Sequence, residues 1–153
     1  MLDNPASVAA PFGDRFAHVA RVDLRETSAL LLLAGQVAVD DDGTVVAPGD
    51  AGRQAERIFE IVAGLLAAHG ATLGDVLHIR TFMTDLADLP AYGAVRRRLF
   101  PGTPPPASTT VQVGALFLPG AVLEVEVTAA TAGRCRARRC RPAGAGRTGR
   151  GRW

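Results

Sequence analysis

The stretch from Asp50 to Gly70 constrains this chain most. Ala51, Ala55, Ile58, Val62, Leu65 and Leu66 recur at helical spacing along one face, so the segment reads as an amphipathic helix with an apolar stripe to bury. Asp50 supplies an N-cap and Gly70 a stop. Runs of strand character flank it. Ala29-Leu-Leu-Leu-Leu-Ala34 continues through Gln36-Val-Ala-Val39 before the helix, and Leu77-His-Ile-Arg-Thr-Phe-Met83 follows it. A helix stripe laid over such runs makes one core, and 153 residues are one domain's worth of chain.

Further elements complete the pattern. Phe16 to Val22 alternates as a first strand, Asp40-Asp-Asp-Gly43 is a turn, and Val45-Val46 begins a return strand. A second helix covers about Pro90 to Phe100, stopped by Pro101 and the run Pro104-Pro-Pro106; strands at Thr109–Val113 and Val122–Thr128 follow. Hairpins joined to helical crossovers predict an α+β, two-layer fold: a mixed sheet with two helices on one face. Its other face stays uncovered unless subunits associate, which predicts a homo-oligomer.

Charge divides the chain in two. There is no lysine; residues 1–132 hold nine arginines against all fifteen acids, a balance of −6, whereas residues 133–153 hold eight arginines and no acid. The basic end lacks apolar periodicity and reads as a disordered tail. Phosphate neutralisation could draw RNA or DNA to it, but interleaved aromatics are missing except Trp153, so nucleic-acid binding is not the expected role. Cys135 and Cys140 have no second pair to make a zinc site, and ordinary thiols are expected. No apolar run nears the roughly 20 residues of a membrane span. With no export signal at Met1-Leu-Asp-Asn-Pro5, a cytoplasmic location is expected.

Four segments, Ala34-Gly-Gln-Val-Ala-Val-Asp40, Thr81-Phe-Met-Thr-Asp-Leu-Ala-Asp-Leu89, Pro106-Ala-Ser-Thr-Thr-Val-Gln-Val113 and Leu118-Pro-Gly-Ala-Val-Leu-Glu-Val-Glu126, resemble in order and spacing the RidA family. These are also called YjgF-like proteins, reactive-intermediate deaminases or L-PSP endoribonucleases. The resemblance covers residues 14–131, leaving 1–13 as an N-terminal extension and 132–153 as the tail. It implies a chorismate-mutase-like homotrimer whose intersubunit clefts take a small-molecule substrate. In active members the cleft hydrolyses enamines and imines to a keto acid and ammonia, without metal or organic cofactor. An arginine pairs with the substrate carboxylate, a glutamate positions or activates water, and backbone groups beside a Ser-Gly-Gln glycine hold the substrate.

Carried over residue by residue, the resemblance makes Glu124 the catalytic carboxylate. It places Phe16, Ala34, Gly35, Gln36, Ala87, Ser108, Thr110 and Gln112 around the substrate. Several positions depart from the pattern. Ser108 stands where the carboxylate-binding arginine is expected, Phe16 replaces a tyrosine, and Ala34 and Ala87 replace polar residues. The leading expectation is a divergent deaminase of specialised metabolism, its substrate bulkier or less anionic than an amino-acid imine. Alternatives are a non-catalytic trimeric binding protein and an RNA-associated protein acting through the tail.

The residues themselves refine this. In Leu123-Glu-Val-Glu-Val127 both acids point away from the valines, so Glu124 and Glu126 face either solvent or a cleft. A desolvated cleft lined by Phe16 and Ala34 would raise the Glu124 pKa. Ser108, Thr109 and Thr110 have no base placed by a triad motif, so covalent catalysis is not expected. His18 and His78 read as interface or surface histidines. Arg80 shares a strand face with His78, where it either contacts an anion or forms an ion pair.

Overall fold

The computed structural model of the protein describes residues 1–8, 18–25, 28–102 and 104–131. Phe16 and the whole 132–153 tail, with Cys135 and Cys140, lie outside the described residues. The fold is α+β: a mixed six-stranded sheet and two α-helices. The strands are β1 (Leu2–Asp3), β2 (Val19–Arg25), β3 (Ser28–Val37), β4 (Val76–Met83), β5 (Ala107–Gln112) and β6 (Leu123–Thr131), and the helices are α1 (Ala51–Ala68) and α2 (Leu89–Leu99). In space the strands run β1-β2-β3-β6-β4-β5, with only the β4/β5 pair parallel. That parallel pair is joined through α2, the crossover such strands require.

The apolar stripe forms α1 as its spacing predicts. Asp50 Oδ1 accepts the Arg53 N–H at 3.0 Å, and Gly70 leaves the helix at φ +72°. The stripe packs on β3 and β6, where Leu31, Leu33, Leu123, Val125 and Val127 are buried. Phe59 of α1 stacks on Tyr92 of α2 at 6.4 Å and meets the Phe100 ring edge-on at 5.4 Å. Tyr92 is buried, and its hydroxyl shares a 2.6 Å hydrogen bond with Thr81 Oγ1 of β4. Tyr92→Phe would strand that buried Thr81 hydroxyl, so it is expected to cost about 1–3 kcal/mol, read as a lowered urea midpoint at unchanged m-value.

Two features differ from the sequence reading. The return strand begun at Val45-Val46 does not form; Val39 and Val45 make only an isolated bridge. Asp40 Oδ1 instead accepts the N–H groups of Asp42 and Thr44, an Asx-type turn, and Ala47 at φ +46° with Pro48 redirects the chain into α1. The unforeseen β1 pairs with β2 as an edge strand, where the Met1 ammonium donates to Arg21 O and Asn4 Oδ1 accepts the His18 N–H. Among the described residues no helix is long and apolar enough to cross a membrane.

The helices cover one sheet face only. Across the open face run the aligned rows Ala20, Leu32, Thr128, His78, then Glu126, Arg80, Thr109, then Glu124, Phe82, Val111. Val22, Leu32 and Val111 stay 48%, 42% and 40% exposed on it.

Candidate functional site

Strand alternation puts Glu124 and Glu126 on the open face between buried Leu123, Val125 and Val127. Beside them β3 is irregular. Its register shifts between Leu33 and Gln36, so Ala34 and Gly35 stand where β6 offers Glu126 alone. This is a β-bulge, a device that re-aims side chains. At Gly35 the strand comes so close to the Glu124 carboxylate that a Cβ there would lie 2.8 Å from its Cδ and collide with Oε1. Glycine is therefore required for the carboxylate to lie against the β3 backbone.

Glu124 is half-buried, and this desolvation pushes its carboxyl pKa above the ordinary value; the neighbouring Glu126 charge pushes it the same way. Glu126 is ion-paired, accepting a 2.7 Å bond from Arg80 Nη1. Arg80 thus takes the ion-paired role. With Ala20, Leu32, Ala34, His78 and Thr128 this pair lines a shallow hollow of about 340 Å³.

The remaining sequence-derived residues lie in several places. Ala34 and Gly35 join Glu124 through the bulge. Gln36 turns into the protein: it is 5% exposed, and its Nε2 donates to Ala34 O at 3.1 Å and lies 3.3 Å from His18 Nδ1. Ala87 is exposed in the 3₁₀ turn before α2, its N–H donating to Asp85 Oδ1 at 2.8 Å. Gln112 is exposed and bonds Thr84 O through Nε2 at 3.2 Å. Ser108 and Thr110 pair with Ile79 and Thr81, which are buried on the helix-covered face. Within one protomer they are therefore apart from Glu124.

Ser108 has a partner on α2. Arg96 Nη1 of α2 donates to Ser108 Oγ at 2.7 Å, with the guanidinium 5.7 Å from the Tyr92 ring centre. The only hint in the sequence is the triplet Arg96-Arg97-Arg98 in the last turn of α2, where cations offset the helix dipole anyway.

Residues 15–131 match the family model described as Endoribonuclease L-PSP. The chain belongs to this family, the RidA/YjgF proteins. It is 31% identical over 121 residues to the 3-aminoacrylate deaminase RutC of Acinetobacter baylyi, covering 79% of this chain and 94% of that protein. Over 87 residues it is 39% identical to the protein DfrA of Myxococcus xanthus, covering 57% of this chain and 66% of that protein. RidA from an Antarctic Psychrobacter superposes with a TM-score of 0.73 at 25% identity, covering 84% of this chain and 98% of that one.

Proposed function

We propose that this RidA-family chain is a divergent deaminase that hydrolyses a reactive enamine or imine, with Glu124 positioning or activating the attacking water. The half-buried Glu124 carboxyl, seated on Gly35 with its pKa raised, is the observation that carries the reading. A carboxyl whose pKa is raised holds a proton more readily than an ordinary one, which suits it to exchange protons with water and substrate. The likeness to a 3-aminoacrylate deaminase supports the same reaction class.

The chemistry asks little of the protein. An enamine first gains a proton on carbon from solvent to give the same protonated C=N species as an imine. Water adds to the C=N carbon, forming C–O, and a proton passes to nitrogen. The C–N bond then breaks as the hydroxyl gives its own proton to the departing ammonia, leaving a carbonyl and ammonium. Glu124 takes the water proton and returns one to nitrogen, so no net proton stays on the carboxyl. The apolar open face supports a homotrimer in which a second subunit covers this corner and excludes bulk water.

Ammonia release from oxidase-generated imines tests the reading. Wild-type protein is expected to accelerate release from at least one member of a panel of amino-acid and decarboxylated amine substrates, and sedimentation should give a trimer mass. A trimer inert toward the whole panel would favour instead a binding protein on the same scaffold.

A further inference from the structure

Gln36 and His18 are polar residues withdrawn from water, 5% and 8% exposed. A buried amide or imidazole needs partners that a hydrocarbon side chain in the same space would not. Their partners converge on one residue. Ala34 sits in the β3 bulge, where the ladder to β6 skips from Leu33 to Gln36. Its N–H donates to His18 O at 2.9 Å, and its carbonyl accepts Gln36 Nε2 at 3.1 Å. The same Nε2 lies 3.3 Å from His18 Nδ1. Asn4 Oδ1 in turn accepts the His18 N–H at 2.8 Å and steadies the approach to β2.

These contacts fix the orientation of both side chains. Turned over, the Gln36 amide would press Oε1 against the Ala34 carbonyl, two acceptors face to face, so its NH2 group points at Ala34 O and at His18 Nδ1. Nδ1 then has to accept, which requires the tautomer with the proton on Nε2. The next residue of the bulge, Gly35, is the one whose backbone lies against the Glu124 carboxylate. We propose that His18 and Gln36 are positioning residues for Glu124: together they hold both polar groups of the Ala34 backbone and so fix the bulge on which the carboxylate sits. A bulge lacks the ladder bonds that hold the strand on either side. Without the clamp the Ala34–Gly35 unit tilts and the carboxylate swings toward water. The effect on turnover rests on the deaminase reading, whereas the geometry of the seat does not.

Carboxyl-carbon NMR titration of Glu124 in the full chain tests the clamp, with ammonia release as a second readout. In wild type this carboxyl is expected to titrate above the ordinary glutamate range because it is half-buried. Gln36→Leu removes the donor of the clamp and His18→Phe its acceptor, each keeping bulk. In both, the Glu124 titration should move back toward the ordinary range, and kcat should fall by up to about 10²-fold with KM little changed. Arg53→Gln, an exposed change on α1, should behave as wild type in both readouts. Imidazole nitrogen shifts of wild type should show His18 Nδ1 unprotonated. An unmoved Glu124 titration in the folded variants, or a proton on Nδ1 in wild type, overturns the proposal. If neither variant folds, wild type decides: slow exchange of the Gln36 amide protons supports the clamp, and free exchange overturns it. A wild type inert toward every imine removes the deaminase reading while the titration still tests the clamp; an active protein whose titration does not move in the variants removes the clamp alone.

Discussion

Glu124→Gln is expected to leave a folded protein whose deaminase turnover falls by about 10²–10⁴-fold, the usual contribution of a positioned acid or base. Glutamine keeps the shape of the carboxylate and its seat against Gly35, so the loss isolates proton transfer from packing. Stability provides the control, and its sign is opposite to the usual ion-paired carboxylate. Folding raises the Glu124 pKa, so between the unfolded and folded values the native state holds more protons than the unfolded chain. Wild type therefore loses stability as pH rises through that window, whereas Glu124→Gln does not. At neutral pH the variant should melt at or above the wild-type temperature, and the two curves should converge below the ordinary carboxyl range. If Glu124 is the base, the acid limb of kcat/KM in wild type follows its raised pKa. Glu126→Gln, by removing the repelling charge, should shift that limb to lower pH. Near-wild-type turnover in Glu124→Gln would remove this carboxyl from the mechanism.

Gly35 ties this result to the backbone. Gly35→Ala puts a methyl group where the Glu124 carboxylate lies, so the acid must leave its seat even though its identity is unchanged. Sequence motifs presented Gly35 and Glu124 as separate segments far apart in the chain. That one exists to make room for the other becomes visible only when β3 and β6 pair with a bulge between Leu33 and Gln36.

The elements that were legible in the sequence are those dominated by periodicity. The α1 stripe and the alternation of Leu123 to Val127 each bury a whole face, and a slip of one residue would expose it. The return at Val45-Val46 stops at a single antiparallel bridge, with the Val46 N–H on Ala38 O, because Ala47 at φ +46° and Pro48 turn the chain away into α1. Arg96 was illegible for a different reason. A basic residue in the last turn of a helix is expected on dipole grounds, and nothing local says that the side chain reaches a serine on a strand edge. Gln36, which the motif places beside the substrate, directs its amide in this protomer toward His18 and the Ala34 carbonyl.

Gln54 is the sharpest case of a residue that periodicity conceals, since it interrupts the α1 stripe and yet is fully buried. Its Nε2 donates to Ala47 O at 3.1 Å and Gly120 O at 2.8 Å, while its Oε1 accepts the Val122 N–H at 2.9 Å. One amide thus joins the loop entering α1 to the turn entering β6. Gly120, at φ +87° beside Pro48, permits the close approach. Gln54→Leu fills the space but leaves the Val122 N–H unpaired, at about 1–3 kcal/mol, and takes one of two donors from Ala47 O and Gly120 O, which keep the Asp50 and Gly49 N–H groups. A total loss of about 2–4 kcal/mol is expected, a melting temperature lower by roughly 4–16 °C for a domain of this size. Gln54→Glu should be no better, because a carboxylate would face two carbonyls and could donate to neither. Thermal unfolding of both variants decides the matter. A Gln54→Leu protein melting within about 2 °C of wild type would mean that water or loop movement replaces these bonds. Function should follow stability here, because Val122 lies two residues before Glu124. Freeing the turn lets the start of β6 shift against β3, and the carboxylate then loses its fixed position over Gly35 while the rest of the sheet stays paired.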